Sequence, residues 1–157
     1  MKKMLSRKEY EKWFNAYKGD CMLCDLDKQF ILREYKHWLW IVNIAPYWRY
    51  HTMVIPRRHI LHLSEIRLSE WTEFRIIYED VIGAYREAKF KHANGTDIVK
   101  YLIMIRARDY NLDHSQDIKR PDHLHIHFLP DAIGKLDPLL EEQASEIPLE
   151  EIYSKLL

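Results

Sequence analysis

Histidine stands at every second position in His123-Leu124-His125-Ile126-His127, and Phe128-Leu129 continues the apolar run. Side chains alternate faces along a β-strand. A strand here would put His123, His125 and His127 on one face and Leu124, Ile126 and Phe128 on the other. The apolar face can anchor on a core while the imidazoles stand together. A neutral imidazole serves as nucleophile, proton carrier or metal ligand. The plainer alternative is a half-buried strand whose solvent face is rich in histidine. The chain has nine histidines in 157 residues, and the regular spacing of these three favours the functional reading.

That strand needs a core to rest on. At 157 residues, 47% apolar and 13% aromatic, the chain is long enough for one substantial core and short for two. We therefore expect one domain over residues 1–157. Twenty-four basic and 24 acidic residues cancel to zero net charge, which argues against an electrostatically driven nucleic-acid or membrane binder. The start, Met1-Lys2-Lys3-Met4-Leu5-Ser6-Arg7-Lys8-Glu9, has no apolar stretch behind its basic residues, so no signal peptide is read. The apolar runs are too short to span a bilayer. A cytoplasmic location is the simplest expectation. Asn94-Gly95-Thr96 has the form of a glycosylation sequon, but reads as a turn.

The two cysteines form Cys21-Met22-Leu23-Cys24. A structural disulfide is not expected in a reducing compartment. Half a zinc site, a redox pair and two small buried residues remain open. A redox pair usually opens a helix after a strand, and the setting here, with Gly19-Asp20 before and a strand-like stretch after, fits that poorly. Half a zinc site needs two more ligands, and histidine is plentiful.

Elsewhere helical and extended stretches alternate. Residues 6–17 read as a helix capped at Ser6, with Tyr10, Trp13, Phe14 and Tyr17 at helical spacing. Residues 31–35 and 37–44 read as neighbouring strands, and residues 51–56 as a third that Pro56 closes. Residues 68–90 read as one long amphipathic helix opened by Ser69, with Glu70 in its first turn. Its Trp71, Phe74, Ile77, Tyr78, Val81, Ile82 and Tyr85 are expected in the core. Residues 100–106 and 122–129 complete five strands, separated by a long polar loop over 108–122, and residues 148–157 form a short terminal helix. The pattern predicts an α+β fold: a mainly antiparallel five-stranded sheet, one long helix and shorter terminal helices. Gly19, Gly83, Gly95 and Gly134 are scattered and form no phosphate-binding loop. Phosphate, if handled, must be held by side chains.

The 123–130 segment resembles the signature of the histidine-triad (HIT) superfamily, in which three histidines alternate with apolar residues. A second block supports the likeness: Trp40-Ile41-Val42-Asn43-Ile44-Ala45-Pro46, followed by His51-Thr52-Met53-Val54-Ile55-Pro56-Arg57-Arg58-His59-Ile60. The resemblance covers about residues 20–131, leaving the 6–17 helix and the 131–157 tail as additions. It implies a HIT-like fold and an enzyme that cleaves nucleotides at the α-phosphate, either a hydrolase or a nucleotidyl transferase. Nucleoside phosphoramidates, dinucleoside polyphosphates and adenylylated small molecules are the implied substrates. His125 resembles the nucleophile, His127 the residue that contacts the α-phosphate and assists the leaving group, and His51 the upstream histidine that completes the cluster with His123. Asn43 resembles the ribose-binding residue, where a strand-end turn role is its alternative. Ile41 and Leu23 would lie near an apolar base pocket.

The same resemblance gives the cysteines a role. In zinc-containing relatives a Cys-x-x-Cys pair joins two histidines that match His59 and His123. The implied set is Cys21, Cys24, His59 and His123 around a structural zinc, with His62 as a competing ligand. His37 and His92 are expected at the surface. The family's Gly-Gln-Ser/Thr-Val before the first histidine is replaced here by Ser115-Gln116-Asp117-Ile118-Lys119-Arg120-Pro121-Asp122. Lys119 and Arg120 are candidates to take over the phosphate contacts, against a plain reading as solvated loop residues. This departure keeps a second function in view: a nucleotide-binding or partner-binding module with little turnover. Repair of adenylylated DNA ends is not supported, because relatives that do so carry a further zinc finger and no cysteine follows Cys24. A homodimer is implied by the resemblance alone.

Overall fold

In a computed structural model of the chain, residues 3–92, 94–105, 123–130 and 144–157 are described. Lys119 and Arg120 lie outside them, as does the whole of the 108–122 loop. The elements run α1 (Arg7–Ala16), β1 (Ile31–Glu34), β2 (Trp38–Val42), β3 (Thr52–Pro56), α2 (Leu68–Ala88), β4 (Tyr101–Ile105), β5 (Ile126–Pro130) and α3 (Leu149–Leu156). The five strands form one sheet in the order β1-β2-β3-β5-β4, and all four pairings are antiparallel. The expected α+β architecture is present.

Register places the residues that matter. Ile41 pairs with Met53, Met53 with His127, and His127 with Met104. Directly opposed residues share a face, so these four make one row across the sheet. The opposite face carries Trp38, Trp40, Thr52, Val54, Ile126 and Phe128, all buried, and α2 covers it. Trp38 Nε1–H donates to the Glu70 carbonyl at 2.9 Å, and the Tyr78 ring lies 6.2 Å from that of Phe128. A polar string crosses this side of the core. Trp40 Nε1–H donates to Thr52 Oγ1 at 2.9 Å, which leaves the Thr52 hydroxyl proton for Tyr85 Oη at 2.8 Å. Tyr85 then donates to a main-chain carbonyl, Tyr50 at 2.8 Å or Phe128 at 3.0 Å. Each buried polar atom is thus satisfied, as burial requires, and β2, β3, α2 and β5 are tied together. Burial pushes the Tyr85 phenol well above its ordinary range, which keeps it a donor.

Helix starts follow local chemistry. Ser6 caps α1 with a reciprocal capping box to Glu9. At α2 the expectation changes: Arg67, not Ser69, is the N-cap. Glu70 reaches back to accept from Arg67 N–H at 2.7 Å and takes a two-pronged contact from Arg58 at 2.8 and 2.9 Å. The Arg58 guanidinium holds the buried Glu70 carboxyl down at about 2, so the helix opens on a charge rather than on a hydroxyl. The expected core stripe of α2 also narrows. Ile77, Val81 and Tyr85 are buried, but Trp71 and Tyr78 are 39% and 37% exposed. Two turns after α2, Asn94 Oδ1 accepts from Thr96 N–H at 3.1 Å and Gly95 adopts φ +84°. This is the expected turn, with glycine where φ is positive. β5 begins at Ile126 rather than 122. Among the described residues no helix is long and apolar enough to cross a membrane.

Candidate functional site

The chain approaches β5 through His123 and Leu124, which are not part of the ladder. Leu124 N–H donates to the Ile60 carbonyl at 2.7 Å, so this segment is pinned to the stretch that follows β3. The three alternating histidines therefore do not form one row of equivalent rings. His123 turns to one cluster, and His125 and His127 belong to another.

In the first cluster, His123 Nε2 lies 2.9 Å from the Pro56 carbonyl. A carbonyl only accepts, so Nε2 carries the proton and Nδ1 keeps its lone pair. That lone pair faces Cys21 Sγ and Cys24 Sγ, both at 3.4 Å, and Cys24 Sγ is 3.4 Å from His59 Nδ1. All four donor atoms lie within 4.8 Å of one another. A tetrahedral zinc with bonds of about 2.0–2.3 Å separates its ligands by roughly 3.3–3.8 Å. Three of the pairs stand at that spacing, and the group is compact enough that it could hold such an ion. The His123 contact to a backbone carbonyl is the outer support that orients a ligating imidazole. Burial pushes His123 down to about 4, keeping the ring neutral, and burial together with the neighbouring Cys21 pushes the Cys24 thiol up to about 11. A cation would displace that thiol proton on binding. His62 is not a member of the group. Its main-chain N–H donates to Glu65 at 2.7 Å instead. His37 and His92 are half-buried rather than fully at the surface.

The second cluster lies on the sheet face opposite α2. Tyr47 N–H donates to His51 Nδ1 at 3.1 Å. A backbone N–H only donates, so in a neutral His51 the proton sits on Nε2. That nitrogen is 2.8 Å from His127 Nδ1, which must accept, and His127 carries its own proton on the buried Nε2. One donor order thus runs from Tyr47 through His51 to His127. His125 is set differently. Its Nδ1 lies 2.6 Å from the His123 carbonyl, so Nδ1 donates and Nε2 holds the lone pair. The His125 and His127 rings are edge to face with centroids 4.8 Å apart. The cluster presents one nucleophilic nitrogen, on half-buried His125, beside one ring whose proton is on the far nitrogen. The Tyr47 ring completes the wall, 5.0 Å from His51 and 5.6 Å from His127.

The remaining expected residues fall as follows. Asn43 is 7% exposed and sits where β2 ends. Its Oδ1 accepts from Ala45 N–H at 2.9 Å, and its Nδ2 is 3.2 Å from both His51 ring nitrogens. It is therefore a turn residue that also braces His51. Ile41 is fully buried on the histidine face, and Leu23 is 4% exposed beside the cysteines, so both form apolar backing rather than open wall. The Tyr47 amide and the carbonyls of Pro56 and His123 were not foreseen. Main-chain groups carry no residue-type signal, and Pro56 reads in the sequence only as a strand terminator.

The model of the HIT domain family matches residues 26–132. Solved structures agree in fold. A Zn-bound histidine triad family protein from Mycobacterium smegmatis is 25% identical over 87% of this chain and 95% of its own, with a TM-score of 0.54. The C. elegans NitFhit protein is 22% identical over 84% of this chain and 28% of its own, with a TM-score of 0.57. An ADP-glucose phosphorylase from Arabidopsis thaliana with bound ADP-glucose is 16% identical over 96% of this chain and 47% of its own, with a TM-score of 0.66. This chain thus spans about half the length of that phosphorylase and less than a third of NitFhit.

Proposed function

This chain belongs to the HIT domain family, and on that premise we propose that it cleaves nucleotides at the α-phosphate through a covalent nucleotidyl-His125 intermediate. His125 Nε2 attacks the α-phosphorus, a P–N bond forms, and the bond to the leaving group breaks. The leaving group takes its proton from His127 Nε2. In the second step water, or another acceptor, attacks the same phosphorus, the P–N bond breaks, and His127 recovers a proton from the incoming group. The contact that carries this reading is His125 Nδ1–H donating to the His123 carbonyl at 2.6 Å. It fixes the tautomer that leaves Nε2 free to attack, the condition for a histidine nucleophile. His51 serves as the orienting partner of His127, and Asn43 stands at the strand end as the candidate ribose contact, with Ile41 and Leu23 behind it. Nucleoside phosphoramidates, dinucleoside polyphosphates and adenylylated small molecules are the substrate classes.

The test is direct trapping. Protein mixed with substrate, quenched under alkaline denaturing conditions and digested should show the nucleotidyl mass on the peptide that holds His125. Turnover without such an adduct, or an adduct on another residue, would overturn the mechanism. Nucleotide binding with neither adduct nor turnover would favour the second reading, a binding module, which the altered 115–122 stretch keeps open. Lys119 and Arg120 are the proposed phosphate contacts from that stretch. Charge-assisted hydrogen bonds are worth roughly 1.5–3 kcal/mol each, so replacing both by Ala should lower kcat/KM at least about tenfold with little change in Tm. Unchanged kinetics would return them to solvent.

Cys21, Cys24, His59 and His123 are proposed to hold a structural zinc, which would supply a fixed cross-link and no chemistry on the substrate. Reduced thiols suit the cytoplasm. We also propose a homodimer. Edge strand β4 presents Ile103 and Ile105, each 37% exposed, and its open side can pair with a second copy.

A further inference from the structure

The helix α1 lies outside the stretch that the family model matches. That stretch begins at residue 26, and α1 ends at Ala16. The helix is nevertheless docked along its whole length. Met4 and Leu5, just ahead of its cap, are buried, and Leu5 N–H donates to the Ile44 carbonyl at 2.7 Å. In its middle the Tyr10 hydroxyl donates to Met22 Sδ at 3.4 Å. At its end the Tyr17 hydroxyl donates to Asp25. α1 therefore lies against both the turn that follows β2 and the cysteine stretch.

The first turn of α1 brings a cation to the wall of the histidine cluster. Arg7 is exposed, and its guanidinium carbon stands 5.1 Å from the centroid of the Tyr47 ring, within cation–π reach. The Tyr10 ring shares the same guanidinium at 5.9 Å. The acid of this turn, Glu9, is engaged by Ser6 and Lys3. Tyr47 is buried, and its ring lies 5.0 Å from His51 and 5.6 Å from His127. The guanidinium thus stands one aromatic ring away from both histidines.

Tyr47 links that cation to the chemistry. Its N–H donates to His51 Nδ1 at 3.1 Å, and this donor sets the order in which His51 donates to His127. Tyr47 lies between β2 and β3, outside the strands, and connecting segments open more readily than the strands they join. Two contacts from the start of α1 reach this turn, the Leu5–Ile44 hydrogen bond and the Arg7 cation. Building on the reading of His125 as nucleophile, we propose that Arg7 is a positioning residue for the reaction. Its guanidinium holds Tyr47 against the histidine pair and so keeps His51 and His127 in the tautomers that the reaction uses.

The experiment uses the full chain. Amide hydrogen exchange at Tyr47 and the imidazole nitrogen shifts of His51, both by NMR, report the hydrogen bond and the tautomer. Steady-state kinetics report the consequence. A cation–π contact at an exposed site shifts an equilibrium about two- to fivefold. Arg7→Met keeps much of the stem and removes the charge. It should speed Tyr47 exchange and lower kcat by about that factor, bring in a second His51 tautomer and leave KM unchanged. Arg7→Lys restores a cation and should recover part of each effect. Lys8→Ala, an exposed neighbour on the same turn, should match the wild type. Exchange and tautomer in Arg7→Met equal to those of the wild type would overturn the assignment. So would a raised KM with kcat and exchange unchanged, which would make Arg7 a direct contact to substrate. A wild type without turnover would sink the nucleotidyl reading instead, and exchange at Tyr47 would still decide whether Arg7 holds that residue.

Discussion

His125→Ala should lower turnover by at least about 10³-fold while the protein stays folded and still binds nucleotide, since removal of a covalent nucleophile removes the reaction path rather than the binding surface. The ring is half-buried, and its Nδ1–H donates to the His123 carbonyl, a group on its own strand approach. Truncation therefore takes little from the core, and Tm should change by no more than a few degrees. His127→Ala should behave differently. His127 is 1% exposed and accepts from His51, so its loss removes the acceptor of a buried hydrogen bond and costs stability as well as rate. The pair separates a chemical role from a structural one. Matching single-turnover and melting measurements on both variants check it, and a His125→Ala enzyme that turns over near the wild-type rate would remove the nucleophile assignment.

The sequence carried what depends on residue type and period. Alternation over 123–129 located β5, and the apolar spacing of 68–90 located α2, because burial imposes the same period on sequence and structure. It carried less where main-chain atoms decide the outcome. By spacing alone, three histidines at every second position are equivalent, and only the family resemblance separates His123 from His125 and His127. The carbonyl of Pro56 and the two sulfurs draw His123 away, and the His123 carbonyl then sets His125. Nothing in the side-chain pattern encodes those contacts. Ser69 is a good capping residue by type, yet Arg67 caps α2, because half-exposed Arg58 pairs with the buried Glu70 carboxylate, a contact that a local rule does not see. Trp71 and Tyr78 fit the core stripe by spacing yet stand exposed for a related reason: amphipathic spacing identifies an apolar stripe but not how much of it the sheet can cover.

Replacing both thiols, Cys21→Ser with Cys24→Ser, should abolish metal binding and lower thermal stability by about 10 °C. Protein purified without chelator should contain about one zinc per chain, because thiolates favour zinc over magnesium or calcium. The four proposed ligands come from three separate stretches: residues 21–24, the stretch after β3, and the approach to β5. A bound ion would close two long loops at once. A site held at ~1,000 times its dissociation constant adds about 4 kcal/mol, which in a domain of this size is worth roughly 8–16 °C in Tm. Catalysis should survive below the new melting point. Without metal, His123 still donates to the Pro56 carbonyl and Leu124 N–H to that of Ile60. The carbonyl that orients His125 therefore stays in place. Stability should fall before chemistry does. Elemental analysis, thiol titration and melting curves on wild type and variant decide the matter. Native protein without metal, and with both thiols freely titratable, would reduce the pair to ordinary small residues packed beside His123.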